Sequence, residues 1–336
     1  MRFVVSAVVT ILLAAGIALA APPSSSRDLP LKGVKIAVTV DDLPVHGDDI
    51  PGIERREIVR GVIRALKQNG APATYGFANV ETLAERPENL AILKDWLAAG
   101  NPLGNHTFHH LDLNKVSARA FIADIEKLDR MLATLASFSP LIERRRVFRY
   151  PFLSEGNTQK KRDQVRDYLK KNGYRIAQVS IDYDDWVWTD AYARCVIQHN
   201  DKSVAWLKAN VVPAAERRAI GAAALARELF GRDIAHILLV HVGAFDALTL
   251  DSILADFRAK GATLISLDEA LADPVYQPDP RFISEEGRPF PDEFAIQRGL
   301  ALSRFTDRAT MMPLLNAMCA SNPSPGTGEG MGKGER

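Results

Sequence analysis

Cysteine and net charge are two things that this 336-residue sequence has little of. It contains only two cysteines, Cys195 and Cys319, and no CxxC or Cys/His spacing of the kind that binds structural zinc. The 42 basic residues nearly balance the 41 acidic ones, and no long block of one sign occurs. The charge therefore gives no electrostatic reason to expect a nucleic-acid partner, and we expect none.

The two cysteines could form one disulfide in an oxidising compartment. Cys319 lies in a Pro-rich segment beyond Asp273 that the sequence predicts to be irregular and mobile, so we expect no structural disulfide. The end of this C-terminal extension (residues 273–336) is SNPSPGTGEGMGKGER, at 321–336. It has too few apolar groups to join a core and should be disordered.

The N-terminal segment is the only long apolar run that bears on targeting. Residues 1–20 combine one arginine, an apolar centre and a small-residue ending before Ala21. This layout predicts a signal peptide that is cleaved after Ala20, and the alternative is an uncleaved membrane anchor. We therefore expect a secreted or periplasmic protein with no stable membrane insertion after cleavage.

Between residues 34 and 272, about seven β-rich runs alternate with amphipathic helical patterns. The runs are 35–40, 73–79, 101–107, 147–152, 175–181, 236–242 and 262–267. Four helical patterns end at a glycine before a strand, which is typical of a left-handed helix cap, and Ser117 has the place of a helix N-cap. The four glycines are Gly70, Gly100, Gly173 and Gly261. The alternation predicts an α/β fold with a mainly parallel sheet or barrel, interrupted by an insertion at 187–232 that contains a helical stretch.

Polar residues collect where the predicted strands end. They are Asp41 and Asp42, the run from Asn105 to His110, Arg149, the run from Asp182 to Trp186, and His241. In α/β folds the ligand site lies at the carboxyl ends of the strands, so these side chains should meet at one rim. Each group alone has a plain structural explanation, such as a turn, an ion pair or a core histidine. The prediction of a site depends on their order and placement together.

Two histidines and two adjacent aspartates in this set indicate a metal site. His106 and His110 are four residues apart, and on a helical turn that spacing would bring both imidazoles to one face. Two histidines and one carboxylate, with positions open for water, form a catalytic site for a divalent metal such as zinc. One aspartate of the Asp41–Asp42 pair would bind the metal, and the other would remain free as a base.

The order of these residues resembles the NodB-homology polysaccharide deacetylases, carbohydrate esterase family 4. The five family motifs correspond here to Thr39-Val40-Asp41-Asp42, His106-Thr107-Phe108-His109-His110, Arg149-Tyr150-Pro151-Phe152, Asp182-Tyr183-Asp184-Asp185-Trp186 and Leu239-Val240-His241. The second and third motifs match fully. The resemblance covers about residues 34–272, which we take as the catalytic domain, and it implies a distorted (β/α) barrel of about seven parallel strands.

The resemblance also implies an activity and residue roles. It implies a metal-dependent hydrolase that removes N-acetyl groups from the sugars of a polysaccharide or peptidoglycan, with zinc as the expected metal. Asp42, His106 and His110 would be the metal ligands. Asp41 would be the general base oriented by Arg149, and His241 the general acid paired with Asp185. The expected substrate-binding residues are Trp186, Leu239, Pro151 and Phe152.

Some positions depart from the family pattern. Val40 replaces the usual Phe, Leu43-Pro44 stands where Gly is usual, and Val242-Gly243 follows the fifth motif in place of an acidic residue. These changes fall at the edge of the groove and bear on substrate choice. The alternatives are a hydrolase of another amide or ester, and an inactive carbohydrate-binding relative. His46, Asp48 and Asp49 are expected to form a solvated loop.

Overall fold

The computed structural model describes residues 29–83, 86–135 and 146–320. The predicted signal peptide at 1–20 and the predicted disordered end at 321–336 lie outside these residues. Across the described ranges, no helix combines the length and apolar character needed to cross a membrane.

Seven parallel strands and ten helices alternate through the described part of the chain. The strands are β1 (Lys35–Leu43), β2 (Tyr75–Ala78), β3 (Leu103–Asn105), β4 (Val147–Phe148), β5 (Arg175–Ile176), β6 (Ala235–His241) and β7 (Thr263–Ile265). The helices are α1 (Arg55–Gln68), α2 (Asn89–Ala98), α3 (Ala118–Leu135), α4 (Gln159–Lys171), α5 (Asp185–Ile197), α6 (Asp201–Phe230), α7 (Ala244–Ala259), α8 (Leu267–Ala270), α9 (Phe290–Gln297) and α10 (Arg308–Ala317). The local signals for these elements are confirmed. All four predicted cap glycines have positive φ, and the Ser117 hydroxyl accepts a hydrogen bond from the Ala120 amide.

The strands form one curled, irregular barrel-like sheet. The pairing order is β5-β4-β3-β2-β1-β6, and β7 pairs with the first half of β1. Directly after β5 the chain pairs with β6, where Ser180 N donates to Ile237 O at 2.9 Å and Leu239 N donates to Ile181 O at 2.9 Å. This contact joins the two ends of the strand order. The predicted α/β fold, a distorted (β/α) barrel of about seven parallel strands, is confirmed.

Alternation along β1 and β6 separates the core from the site. Side chains of successive strand residues point to opposite faces, and both faces of β1 are buried, as expected for a parallel strand covered by helices. One face carries Val38 and Val40, which join the large cluster that packs against the surrounding helices. The other face carries Thr39 and Asp41. Alternation therefore places Asp41 on the interior face, at the carboxyl end of β1.

The sequence predicted an irregular C-terminal extension. The structure instead has two helices there, which pack on the insertion. On α9, Ala295 packs with Leu225 and Leu229 of α6, and Leu315 of α10 joins the main core. The fully buried Arg162 of α4 binds Glu155 and also Asp279 of the extension. These contacts fix the segment up to residue 320 to the barrel.

The expectation of no structural disulfide is wrong. Cys195, at the end of α5, is bonded to Cys319, just after α10, with the two Cα atoms 5.2 Å apart. The prediction failed because it treated residue 319 as part of a mobile tail. Arg194 instead donates to Leu315 O at 2.8 Å and to Met318 O at 3.2 Å, which holds the end of α10 against α5.

Candidate active site

The carboxyl ends of β1 and β6 bring the first and fifth motifs together. Asp41 and His241 are register partners in these two strands. Asp42 follows on β1 with a φ of 63°, so the backbone turns in the left-handed region at this residue. A non-glycine residue in this region is uncommon and is often found at functional sites. The two aspartates are still part of the strand, and both are buried.

The second motif is an irregular turn rather than a helix. Thr107 and His110 have φ values of 59° and 52°, and the turn is held by Asn105 Oδ1, which accepts from Thr107 N, and by Thr107 Oγ1, which accepts from Leu111 N. The helical turn that the spacing argument assumed is not formed, and side-chain hydrogen bonds to backbone amides hold the turn instead. The imidazoles of His106 and His110 nevertheless meet, with ring centroids 4.9 Å apart.

Asp42, His106 and His110 form a set of donor atoms that could hold one metal ion. One ligand atom from each lies within 4.8 Å of the other two. Asp42 Oδ1 is 3.5 Å from His106 Nε2 and 3.2 Å from His110 Nε2. His106 Nδ1 lies 2.8 Å from the carbonyl oxygen of Arg149, which can only accept, so this nitrogen carries the proton and the lone pair of Nε2 faces Asp42. The donor set and this tautomer fit a divalent cation such as zinc.

The protonation states of these three groups also suit a cation. Burial lowers the pKa of His106 to about 3 and also lowers the pKa of His110, which favours the neutral form of both imidazoles. Burial pushes the pKa of Asp42 upward, but nearby His110 and the hydrogen bond from His46 outweigh it and hold that pKa well below its usual value. Neutral imidazoles and an ionised carboxylate are the forms that bind metal.

Asp41 is held by an arginine that is equally buried. Arg149 Nη1 lies 3.1 Å and 3.0 Å from the two carboxylate oxygens of Asp41, Nη2 donates to Thr39 Oγ1 at 2.9 Å, and Nε donates to Ala177 O at 2.6 Å. Burial raises the pKa of Asp41 to about 6, although Arg149 and His241 oppose the rise. The carboxylate is therefore fixed in direction and more basic than an ordinary aspartate.

His241 is paired with Asp185 at the start of α5. Its Nδ1 lies 2.9 Å from Asp185 Oδ1, and its backbone amide donates to Asp185 Oδ2. Burial alone would lower the pKa of His241, but the charge of Asp185 and its hydrogen bond raise that pKa well above the ordinary value. His241 Nε2, on the other side of the ring, lies 4.0 Å from Asp42 Oδ2. The charged imidazole therefore faces Asp42, and its Nε2 carries a proton that it can donate.

These groups open into a cavity of about 310 Å³, which is at the lower end of the range for small-molecule pockets. Trp186, Leu239 and Phe152 line it, and their expected role in substrate binding stays a prediction. Phe152 is 55% exposed and lies over His110, with ring centroids 4.5 Å apart. Pro151 is buried and is not one of the lining residues; it begins the short turn that carries Phe152.

Sequence reasoning missed several residues that lie at the site. His46, expected in a solvated loop, has its Nδ1 2.8 Å from Asp42 Oδ2 and its ring centroid 4.5 Å from that of His241. Asn79, at the end of β2, donates to Asp42 Oδ1 at 2.7 Å. Arg308 reaches the cavity from the C-terminal extension. The spacing of four between Asp42 and His46 was a signal for the first, whereas nothing in the sequence indicated the other two.

The fold and site together define an α/β-barrel protein with a set of side chains that could hold a metal ion. Residues 29–177 match the family model described as polysaccharide deacetylase. The resemblance to this family that the motifs predicted is confirmed over these residues.

Known proteins similar to the chain include deacetylases. It is 26% identical over 153 residues to a chitin deacetylase of Arthroderma benhamiae, covering 45% of this chain and 35% of that protein. It is 27% identical over 157 residues to a peptidoglycan-N-acetylglucosamine deacetylase of Bacillus cereus, covering 47% and 48%. Among solved structures, a carbohydrate esterase family 4 pseudoenzyme of Bacillus anthracis aligns at 16% identity and TM-score 0.48, over 72% of this chain and 66% of that one. The chain thus spans less than half the length of these two curated relatives.

Proposed function

We propose that the protein is a metal-dependent deacetylase that hydrolyses the N-acetyl groups of sugars in a polysaccharide or in peptidoglycan. The observation that carries the proposal is the convergence of Asp42, His106 and His110 on one point, with Asp41 and His241 on either side. The names of two curated relatives, a chitin deacetylase and a peptidoglycan-N-acetylglucosamine deacetylase, support the substrate class.

Asp42, His106 and His110 would hold the divalent cation, which we propose to be zinc. When bound there, the cation supplies positive charge that polarises the acetamido carbonyl and favours loss of a proton from an attacking water molecule. His106 is oriented for ligation by the Arg149 carbonyl. Asp42 is oriented by Asn79 and His46.

Asp41 acts as the general base in this proposal. Its pKa of about 6 is closer to neutral pH than that of an ordinary aspartate, which makes the carboxylate a better proton acceptor. The contact of Arg149 Nη1 with both carboxylate oxygens would keep Asp41 from turning toward the cation, so that Asp42 ligates and Asp41 stays free.

His241 acts as the general acid, because an amine leaves poorly unless it is protonated. Asp185 keeps the imidazole charged by its hydrogen bond to Nδ1, which leaves the Nε2 proton for the leaving nitrogen. Trp186 and Leu239 would form the walls that receive the acetyl methyl group. Pro151 and Phe152 would shape the neighbouring wall, with Phe152 providing an exposed ring at the cavity mouth.

We also propose a secreted or periplasmic location and a catalytic domain at residues 34–272 that includes the insertion 187–232. The Cys195–Cys319 disulfide supports this location, since such bonds persist in oxidising compartments.

The test is release of acetate from a panel of N-acetylated substrates, comprising chitin oligomers, peptidoglycan fragments and an aryl acetate ester, with and without a chelator and added zinc. We expect zinc-dependent release from at least one glycan. Release from the ester alone would favour the alternative amide or ester hydrolase. Binding of glycan without release by the zinc-loaded protein would favour the inactive relative.

A further inference from the structure

The cavity is not built from the catalytic domain alone, because Arg308 of the C-terminal extension is one of its lining residues. Arg308 is the first residue of α10, and its side chain is 40% exposed. It lies in the same cavity as Asp41, Asp42 and His241. A cationic side chain with five donors thus lines the cavity that contains the proposed reaction centre, and it is contributed by a part of the chain outside the five motifs.

Arg308 has donor capacity to spare. Within the described residues its side chain makes a contact of charge, with Nη2 lying 3.1 Å from Asp184 Oδ1. Asp184 in turn is buried, and burial together with the charge of Asp182 raises its pKa to about 8. Asp184 therefore carries less negative charge to balance the positive charge of the Arg308 guanidinium. The other nitrogens of Arg308 remain available to oxygen atoms that enter the cavity.

The position of Arg308 is fixed by contacts at both ends of α10. At the first turn, Arg217 of α6 binds Asp307 at 2.9 Å. At the far end, Arg194 donates to carbonyl oxygens of the last turn, and the Cys195–Cys319 disulfide joins α10 to the end of α5. The other end of α5 carries Asp185 and Trp186. The helix pair α5 and α10 therefore carries Asp185, Trp186 and Arg308 at the end near the cavity, and a disulfide links the two helices at the other end.

We propose that Arg308 is a substrate-binding residue, which donates hydrogen bonds to hydroxyl or carboxylate oxygens of the sugar chain in the cavity, and that the α5–α10 disulfide holds it in place. This inference rests on the proposed function and extends it to a specificity residue outside the family domain. The side chain contributes binding but takes no part in proton transfer, so it acts on affinity more than on turnover.

The test compares Arg308→Ala with Arg304→Ala, a matched control in the same extension whose side chain pairs with Glu228 away from the cavity. Loss of a hydrogen bond from a charged donor predicts a KM for N-acetylated glycans that is roughly tenfold to a hundredfold higher in Arg308→Ala. kcat should change little, and cleavage of an aryl acetate should be unaffected. Arg304→Ala should behave as the unaltered protein. A larger increase on peptidoglycan fragments than on neutral chitin oligomers would identify a carboxylate as the partner, and an equal increase would identify hydroxyl groups.

A second variant tests the part played by the disulfide. Cys319→Ser should raise KM in the same direction and, in combination with Arg308→Ala, should add nothing further. An unchanged KM in Arg308→Ala, or equal losses on glycan and aryl acetate, would overturn the inference while leaving the proposed function intact. Absence of acetate release from every glycan by the unaltered, zinc-loaded protein would instead overturn the proposed function, and the inference with it.

Discussion

Breaking the buried pair of Arg149 and Asp41 should destabilise the fold strongly, apart from any effect on the proposed general base. Arg149→Met keeps most of the side-chain volume but removes the charge and all of its donors. Arg149 is 1% exposed, and its guanidinium donates to Asp41, Thr39 Oγ1 and Ala177 O. The variant leaves the buried Asp41 carboxylate with its main partner gone.

The expected cost follows from that burial. Removing one partner of a buried ion pair typically destabilises a protein by about 3–5 kcal/mol, because the remaining charge stays desolvated. An exposed pair contributes at most about 1 kcal/mol, so Arg304→Met, which breaks the surface pair with Glu228, provides the control. The free energy of unfolding should therefore fall several times further for Arg149→Met than for Arg304→Met.

Urea unfolding with a chelator present measures these energies without a contribution from bound metal. The same Arg149→Met change should cost about 1–3 kcal/mol less in an Asp41→Asn background, because no buried charge is then left behind. A loss under 1 kcal/mol in the single variant, or equal losses in both backgrounds, would refute this explanation of the pair.

Three further predictions concern the acid, the barrel wall and the disulfide. His241→Ala should slow amide cleavage far more than cleavage of an activated aryl acetate, whose leaving group needs no proton; equal slowing would argue against the acid role. His236 is fully buried with its Nδ1 3.0 Å from Ser180 Oγ, and burial lowers its pKa from 6.5 to about 4. The unfolded chain then takes up a proton on His236 at a higher pH than the folded chain. The free energy of unfolding should therefore fall by up to about 3 kcal/mol as the pH is lowered from 6.5 to 4. His236→Asn should flatten this dependence of the unfolding free energy on pH, measured by urea titrations. An identical slope in both proteins would show that His236 is not the cause. Cys319→Ser removes a disulfide that closes a loop of 124 residues, and it should lower the free energy of unfolding by at most about 5 kcal/mol. An unchanged free energy of unfolding under oxidising conditions would mean that the bond does not form.

The convergence of the site could be predicted because it depends on chain order and strand period. Parallel strands end at one rim, so polar residues at successive strand ends must approach each other. Alternation along β1 then puts Asp41 on the interior face, where its register partner on β6 is His241. The helix caps were equally local, since Gly70 and Ser117 act within their own turn.

What could not be predicted depends on contacts between distant segments or on side-chain bonds within a turn. The turn from His106 to His110 looked helical by spacing, but hydrogen bonds to Asn105 and Thr107 give it another shape. The Cys195–Cys319 bond and the place of Arg308 both require α10 to dock on α5, more than 100 residues away in sequence. No local pattern carries that information.

The most direct test of the central claim is a crystal structure of the zinc-loaded protein, with anomalous scattering measured at the zinc absorption edge. We predict one peak, bound at about 2.0–2.2 Å by a carboxylate oxygen of Asp42 and by Nε2 of His106 and of His110, with Asp41 uncoordinated. A peak bound by Asp41, or no peak between these three side chains, would contradict the proposed metal site and the mechanism built on it.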